Sequence, residues 1–267
     1  MSQSSSSFDL IEAVGRGYQF FWAQRMSILK IAVFPLLIGL ACYAVLTLLE
    51  LPETDLRQFI IMLPSYFAEG WMVVFLVRAV FIDGDYKPHA KGFLRADRNM
   101  QAGILLYALT KYILFGGVAV LLHYFGDVLE MLNEQATPDP DTSLKISIGI
   151  IAGAVVSISL FRFLWLYIPV AVGISLRRYV RAAAKSSTAL QMFGIWLLCF
   201  FPFAITFLML GSVILSPFQD QDDLPLTIEI IVITIQMIFK IMINVATTVC
   251  MAYGIKSLMS DDSQLKS

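Results

Sequence analysis

Residues 226–253 read LTIEIIVITIQMIFKIMINVATTVCMAY. A bilayer hydrocarbon core of about 30 Å needs roughly 20 mainly apolar residues in helical form. The stretch exceeds that length, and Lys240 falls near its middle. It reads as a transmembrane helix that carries a charge into the membrane. Apolar runs of comparable length recur upstream, at about 30–49, 58–81, 101–125, 146–168 and 190–216. The expectation is an all-α polytopic membrane protein with six transmembrane helices.

Composition agrees with that class. Of 267 residues, 58% are hydrophobic and 15% charged, and the mean hydropathy is +0.76. Soluble domains are about 25% charged. The runs lack the apolar/polar alternation of barrel strands, which argues against a membrane β-barrel. The expected organisation is a disordered polar tail at 1–7, a single transmembrane domain at 8–256 and a cytoplasmic tail at 257–267. Cys42, Cys199 and Cys250 all fall in apolar runs and read as small buried side chains, not a disulfide frame.

Positive charge sets the orientation. Arg16, Arg25 and Lys30 precede the first run. Lys87, Lys91, Arg95 and Arg98 lie between the second and third, and Arg177, Arg178, Arg181 and Lys185 between the fourth and fifth. Lys256 and Lys266 follow the sixth. The opposite loops hold only Arg57 and Lys145. The positive-inside rule then places both termini in the cytoplasm. The opposite loops are acidic, with Glu50, Glu53, Asp55, Asp127, Glu130, Asp220 and Asp222 among their residues, and read as a solvated face.

Three segments on the basic side are amphipathic. In Phe8–Arg25, Leu10, Ile11, Val14, Tyr18, Phe21 and Trp22 share one stripe, while Asp9, Glu12, Arg16 and Gln19 face away. Ser6 and Asp9 have capping-box spacing, and Glu12 and Arg16 form an i,i+4 pair. The segment reads as an interfacial helix on the cytoplasmic leaflet. Residues 90–100 and 176–188 precede the third and fifth runs in the same way. Three parallel hairpin repeats would explain this recurrence. Gln24, Ile28, Phe34 and Pro35 align without gaps on Gln191, Ile195, Phe201 and Pro202.

Ionisable side chains inside a membrane are costly and usually face a bundle interior or a cavity. Glu69, Lys111 and Lys240 fall near the middle of their runs. Arg78 and Arg162 lie nearer the ends, where long side chains snorkel to the interface. Glu69 is the natural partner for Lys111 or Lys240. Gln236, Lys240, Asn244 and Thr247 form one polar stripe, and Tyr107 and Thr110 add polar atoms beside Lys111. Glu69, Lys111, Arg162, Gln236, Lys240 and Asn244 thus form a candidate intramembrane polar site. It either fixes packing between helices or lines a cavity for a small anion or anionic headgroup. Gly149, Gly153 and Ser157, at i, i+4 and i+8, are candidate helix-packing positions. Their partner is another helix of the chain or, in a homo-oligomer, a second protomer.

Catalytic signatures are absent from the sequence. There is no HExxH, P-loop or GxSxG. His89 and His123 are the two histidines. Asp83, Asp85 and His89 lie in DGDYKPH, where Gly84 and Pro88 favour a turn over a metal site. Nothing calls for a cofactor, a metal or nucleic acid.

Residues 163–203 read FLWLYIPVAVGISLRRYVRAAAKSSTALQMFGIWLLCFFPF. A span ending in Pro169 is followed by a basic helix with Ala183 and Ser186, then by a span bearing Trp196. This pattern resembles a group of bacterial six-helix membrane proteins. The group includes the YciC-like inner-membrane proteins and the membrane domain attached to some glycerophosphodiester phosphodiesterases. These 267 residues carry no counterpart of the catalytic domain of those phosphodiesterases, so the resemblance does not imply that activity. The resemblance implies a multi-pass protein of the bacterial inner membrane, associated with lipids. Together with the charges, it leads to a non-enzymatic protein that supports envelope or lipid homeostasis. Arg177, Arg178, Arg181 and Lys185 are its candidate contacts to anionic headgroups. The alternative is a transporter or permease component for a small anion or lipid, with Glu69, Lys111 and Lys240 lining a midplane cavity.

Overall fold

The computed structural model describes residues 9–49, 56–82, 97–114, 157–218 and 225–264. Among these residues the secondary structure is helical, without strands. The helices are α1 (Leu10–Ala23), α2 (Arg25–Leu48), α3 (Leu56–Ile61), α4 (Leu63–Phe81) and α5 (98–114). They continue with α6 (157–161), a 3-10 turn at Arg162–Trp165, and α7 (Tyr167–Ala171). After these come α8 (Leu176–Ala182), α9 (Ser186–Leu215) and α10 (Leu226–Gln264). Four helical stretches among the described residues are long and apolar enough to cross a membrane: Arg25–Leu48, Leu63–Phe81, Ser186–Phe218 and Thr227–Ser260. Ser157–Ala171 is a shorter apolar helix. The runs expected at 101–125 and 146–168 fall partly outside the described residues. The tail at 1–7, Gly149, Gly153, His123 and the Asp83, Asp85 and His89 group lie wholly outside them.

Helix α4 is the most buried of the spans. Met72, Val73, Val74, Leu76, Val77 and Val80 are closed off on every side. It packs against α2, α10 and α7. Pro64 sits in its first turn, where a missing N–H costs no helical bond. Two glycines then bring α5 and α7 close. A Cβ at Gly70 would lie 3.0 Å from Tyr107 Cδ1 and 3.1 Å from the Ile104 carbonyl oxygen. A Cβ at Gly103 would lie 2.9 Å from Ala171 Cβ. These close approaches fix the position of Tyr107 against α4.

Helix α10 has 39 residues, about 58 Å at 1.5 Å per residue. It outruns a hydrocarbon core of about 30 Å. The segment from 257, expected to be a cytoplasmic tail, is helical as far as Gln264, with Leu258 and Met259 buried in the core. Apolar packing of Leu258 and Met259 accompanies this extension of the helix past residue 257.

Helix α1 is capped by Asp9, whose carboxylate accepts from the Ile11 and Glu12 amides. Ser6, the other half of the expected capping box, lies outside the described residues. Glu12 and Arg16 pair at 2.6 Å. The helix does not stand apart from the bundle as an isolated surface helix would. Ala13 and Gly17 are buried, and α1 packs on α10 and α9. Leu10 reaches Gly194, Phe20 meets the Tyr253 ring, and the Tyr18 hydroxyl donates to the Leu198 carbonyl at 3.5 Å. Of the expected apolar stripe, Leu10, Val14, Tyr18 and Phe21 pack inward, while Ile11 and Trp22 stay exposed.

Several basic side chains bind helix ends. The Lys256 ammonium donates to the Val80 and Phe81 carbonyls at the end of α4. Arg162 donates to the Ala183 and Ala184 carbonyls, both at 2.9 Å, just past α8. Cations suit helix C-termini because the last carbonyls lack intrahelical donors. Arg178 donates to the Met259 carbonyl of α10 at 2.9 Å. Arg78 pairs with Asp97 at 2.7 Å.

Candidate functional site: a buried ionic network flanked by two cavities

Glu69 is the centre of the network. Its side chain is 2% exposed. An isolated carboxylate in that position costs several kcal/mol even after relaxation. Here Lys240 of α10 lies 2.5 Å from Oε1. Oε2 accepts from the Tyr107 hydroxyl of α5 at 3.2 Å and from the Asn244 amide of α10 at 3.1 Å. Lys111 of α5 joins by a different route. It donates to Asn244 Oδ1 at 3.3 Å, so Asn244 bridges Lys111 to Glu69. Lys240 and Asn244 are one turn apart on α10, which lets both reach one carboxylate.

A second polar pair extends the layer. The Tyr107 and Tyr167 rings meet edge to face at 5.1 Å, and the Tyr167 hydroxyl bonds Thr248 Oγ1 at 3.2 Å. The Lys240 ammonium lies over the Tyr66 ring, 5.7 Å from its centre, and Lys111 over Tyr107 at 5.6 Å. Such placements add a cation–π attraction to each ammonium.

Two cavities flank the network. The first, about 230 Å³, lies among α2, α3, α4 and α10, with Tyr43, Gln58, Tyr66, Gln236 and Lys240 on its wall. The second, about 350 Å³, lies among α5, α6, α7, α9 and α10. Lys111, Asn244 and Thr247 are on its wall with Phe161, Trp165 and Trp196. Glu69 lines neither, so the carboxylate and its bonds stand between them.

Four of the six residues expected to form a polar site come together. Glu69, Lys111, Lys240 and Asn244 meet, and Gln236 joins Lys240 on the first cavity. Arg162 does not join them, because its guanidinium is used at the end of α8. Ser157 lines the second cavity. Among the headgroup candidates, Arg177 and Arg181 are exposed on α8 beside exposed Leu176 and Val180. Lys185 is exposed just beyond, and Arg178 turns to α10.

Some contributors carry no signal in the sequence. Trp165 and Tyr167 have no spacing that distinguishes them from other span aromatics. Asp97 does carry one. It precedes α5 as an N-cap residue should, and it accepts from the Met100 amide at 2.9 Å. Outside the spans, its hydrogen bond from Arg78 holds the Asp97 carboxyl below its ordinary value.

Among the described residues no group of His, Cys, Asp and Glu is arranged to hold a metal. Fold and site together define an all-α protein with helices of membrane-spanning length and an internal ionic network, consistent with a multi-pass membrane protein. Comparison with protein-family models, curated proteins and solved structures gives no match.

Proposed function

We propose that the chain is a non-enzymatic, six-span protein of the bacterial inner membrane that supports envelope or lipid homeostasis by binding anionic lipid. Both termini face the cytoplasm in this reading, as the distribution of loop charge supports. The observation that carries it is the surface of α8. Arg177 and Arg181, one turn apart, are exposed next to exposed Leu176 and Val180, immediately before the apolar helix α9. Apolar and cationic groups side by side suit the headgroup level. Basic residues near a membrane attract anionic headgroups by about 1 kcal/mol each. Native mass spectrometry of protein from mixed phosphatidylglycerol and phosphatidylethanolamine tests this. Wild type should retain the anionic lipid preferentially, and Arg177→Gln with Arg181→Gln should lose that preference. Equal retention by the variant removes this support.

The alternative is a permease component for a small anion or lipid. What favours it is the placement of Glu69 between two cavities that reach Lys240 and Lys111. In this reading the Lys240–Glu69 pair separates two compartments and opens during passage. Proteoliposome flux of a candidate anion, abolished by a cross-link between α4 and α10, is the corresponding test.

The aligned positions offer partial support for a repeat. Ile28 and Ile195 are both buried, and Phe34 and Phe201 both exposed, while Pro35 and Pro202 each lie inside a helix. Two pairs differ: Gln24 interrupts the helix between α1 and α2 while Gln191 lies inside α9, and Pro35 is buried while Pro202 is exposed.

A further inference from the structure

The cavity beside Lys111 holds two buried polar groups that none of the described residues satisfies. Trp165, 8% exposed, has no partner for Nε1, and Thr247, 3% exposed, has none for Oγ1. Both residues line that cavity. Buried polar atoms almost always have a partner, so each exception needs a reason. An indole N–H can only donate, and a threonine hydroxyl can donate as well as accept. The Lys111 ammonium is the third group. It lies between Asn244 and the Tyr107 ring, both on the same wall. Three donors thus converge on a cavity whose described lining holds no carboxylate.

We infer that this cavity binds one anionic amphiphile, its oxygen-bearing head on Lys111, Thr247 and the Trp165 N–H, and a short apolar segment against Phe161, Leu164 and Trp196. The volume of about 350 Å³ falls at the small end of ligand sites, which run from about 300 to 1,000 Å³. It fits a head and the start of a chain, not a whole phospholipid. The described lining contains no arginine, so a planar fork is not offered. A lysine acts as a point charge, which suits a monoanionic carboxylate or phosphodiester. The apolar wall is aromatic and rigid, so little side-chain freedom is lost when it is covered. The site is separate from the arginines of α8, and either can fail without the other.

The experiment is a thermal-shift titration of the full chain in detergent with decanoate, dioctanoyl phosphatidylglycerol and decanol. At least one anion should raise Tm saturably, and decanol should not. Binding of the phosphatidylglycerol alone assigns a lipid headgroup, and binding of decanoate alone assigns a free carboxylate. Thr247→Val and Trp165→Phe each remove a donor while largely keeping shape. Each should weaken the anion roughly tenfold, the scale of a lost hydrogen bond to a charged group. Without ligand, Thr247→Val should be as stable as wild type or more so, because an unsatisfied buried hydroxyl is gone. The inference is overturned if neither anion binds, if decanol binds equally, or if both variants bind the anion as wild type does. It is also overturned if Thr247→Val is destabilised without ligand and unchanged in affinity, since the hydroxyl would then be structural.

Discussion

Lys240 touches the Glu69 carboxylate directly at 2.5 Å, whereas Lys111 is tied to it through the side chain of Asn244. Two lysines that look equivalent in sequence therefore hold different ranks. Lys240→Leu strips the carboxylate of its ion partner and leaves it buried. Breaking one side of a buried pair costs about 3–5 kcal/mol, so Tm in detergent should fall sharply. Glu69→Gln should cost less, because the amide oxygen still accepts from Tyr107 or Asn244 and Lys240 is 27% exposed. The double variant should recover most of the Lys240→Leu loss. Lys111→Leu should be milder than Lys240→Leu. Equal losses for the two lysines, or an additive double variant, would contradict the direct pairing.

The existence of this network was legible in sequence, but its wiring was not. Glu69, Lys111 and Lys240 stand out because charges are rare in apolar runs. Which lysine takes the carboxylate depends on how α4, α5 and α10 are rotated about their axes, and no residue spacing reports that. The Gln236, Lys240, Asn244 and Thr247 stripe is visible because it lies on one helix. Its division between two cavities is not, because the walls come from α3, α6, α7 and α9. The amphipathic pattern of α1 is legible too. Burial of Ala13 and Gly17 is not, since small residues weigh little in an apolar stripe yet decide where helices touch. The full length of α10 is hidden because Leu258 and Met259 are held by tertiary packing inside polar sequence.

Close helix approach at two glycines should be sensitive to one added methyl. A Cβ at Gly103 meets Ala171 Cβ at 2.9 Å and Ala171 Cα at 3.1 Å. Overpacking a tight core costs about 1–3 kcal/mol. Gly103→Ala should lower Tm, and Ala171→Gly added to it should restore part of the loss. At Gly70 the nearest atom is Tyr107 Cδ1, on a side chain that also holds Glu69. Gly70→Ala should therefore disturb the network as well, and shrink the stability change that Glu69→Gln causes. An undiminished effect of Glu69→Gln in the Gly70→Ala background would show that the ring moves without loosening its bond.

The Arg78–Asp97 pair gives a pH dependence with a defined sign. The hydrogen bond from Arg78 lowers the folded-state value of Asp97 below its ordinary 3.8. The pair then contributes fully above that ordinary value, and the contribution disappears as pH falls through the lowered folded value. Asp97 is half exposed, so water screens the pair and its contribution is about 1 kcal/mol or less. Asp97→Asn keeps an N-cap for α5 and removes the charge. Wild type should be the more stable of the two near neutral pH, with the gap closing below about pH 4. Thermal scans of both proteins across that range decide it, and a gap that widens on acidification would contradict the assignment.

Docking of α1 rests on Gly17 lying against Cys250. A Cβ at Gly17 would collide with the Cys250 sulfur and come within 2.8 Å of its backbone Cα. The Cys250 thiol also donates to the Val14 carbonyl at 3.7 Å. Gly17→Ala should push α1 off α10 and expose a thiol that is now fully buried. The measurement is labelling by a membrane-permeant maleimide, read peptide by peptide to separate Cys250 from Cys42 and Cys199. Cys250 should be unreactive in the native wild type and labelled in Gly17→Ala, with stability lower by about 1–3 kcal/mol. Adding Cys250→Ala should recover only part of that stability, because the backbone of α10 still crowds the added methyl once the sulfur is gone. Full recovery would mean that the sulfur alone limits the approach, and unchanged labelling would mean that α1 absorbs the methyl without moving.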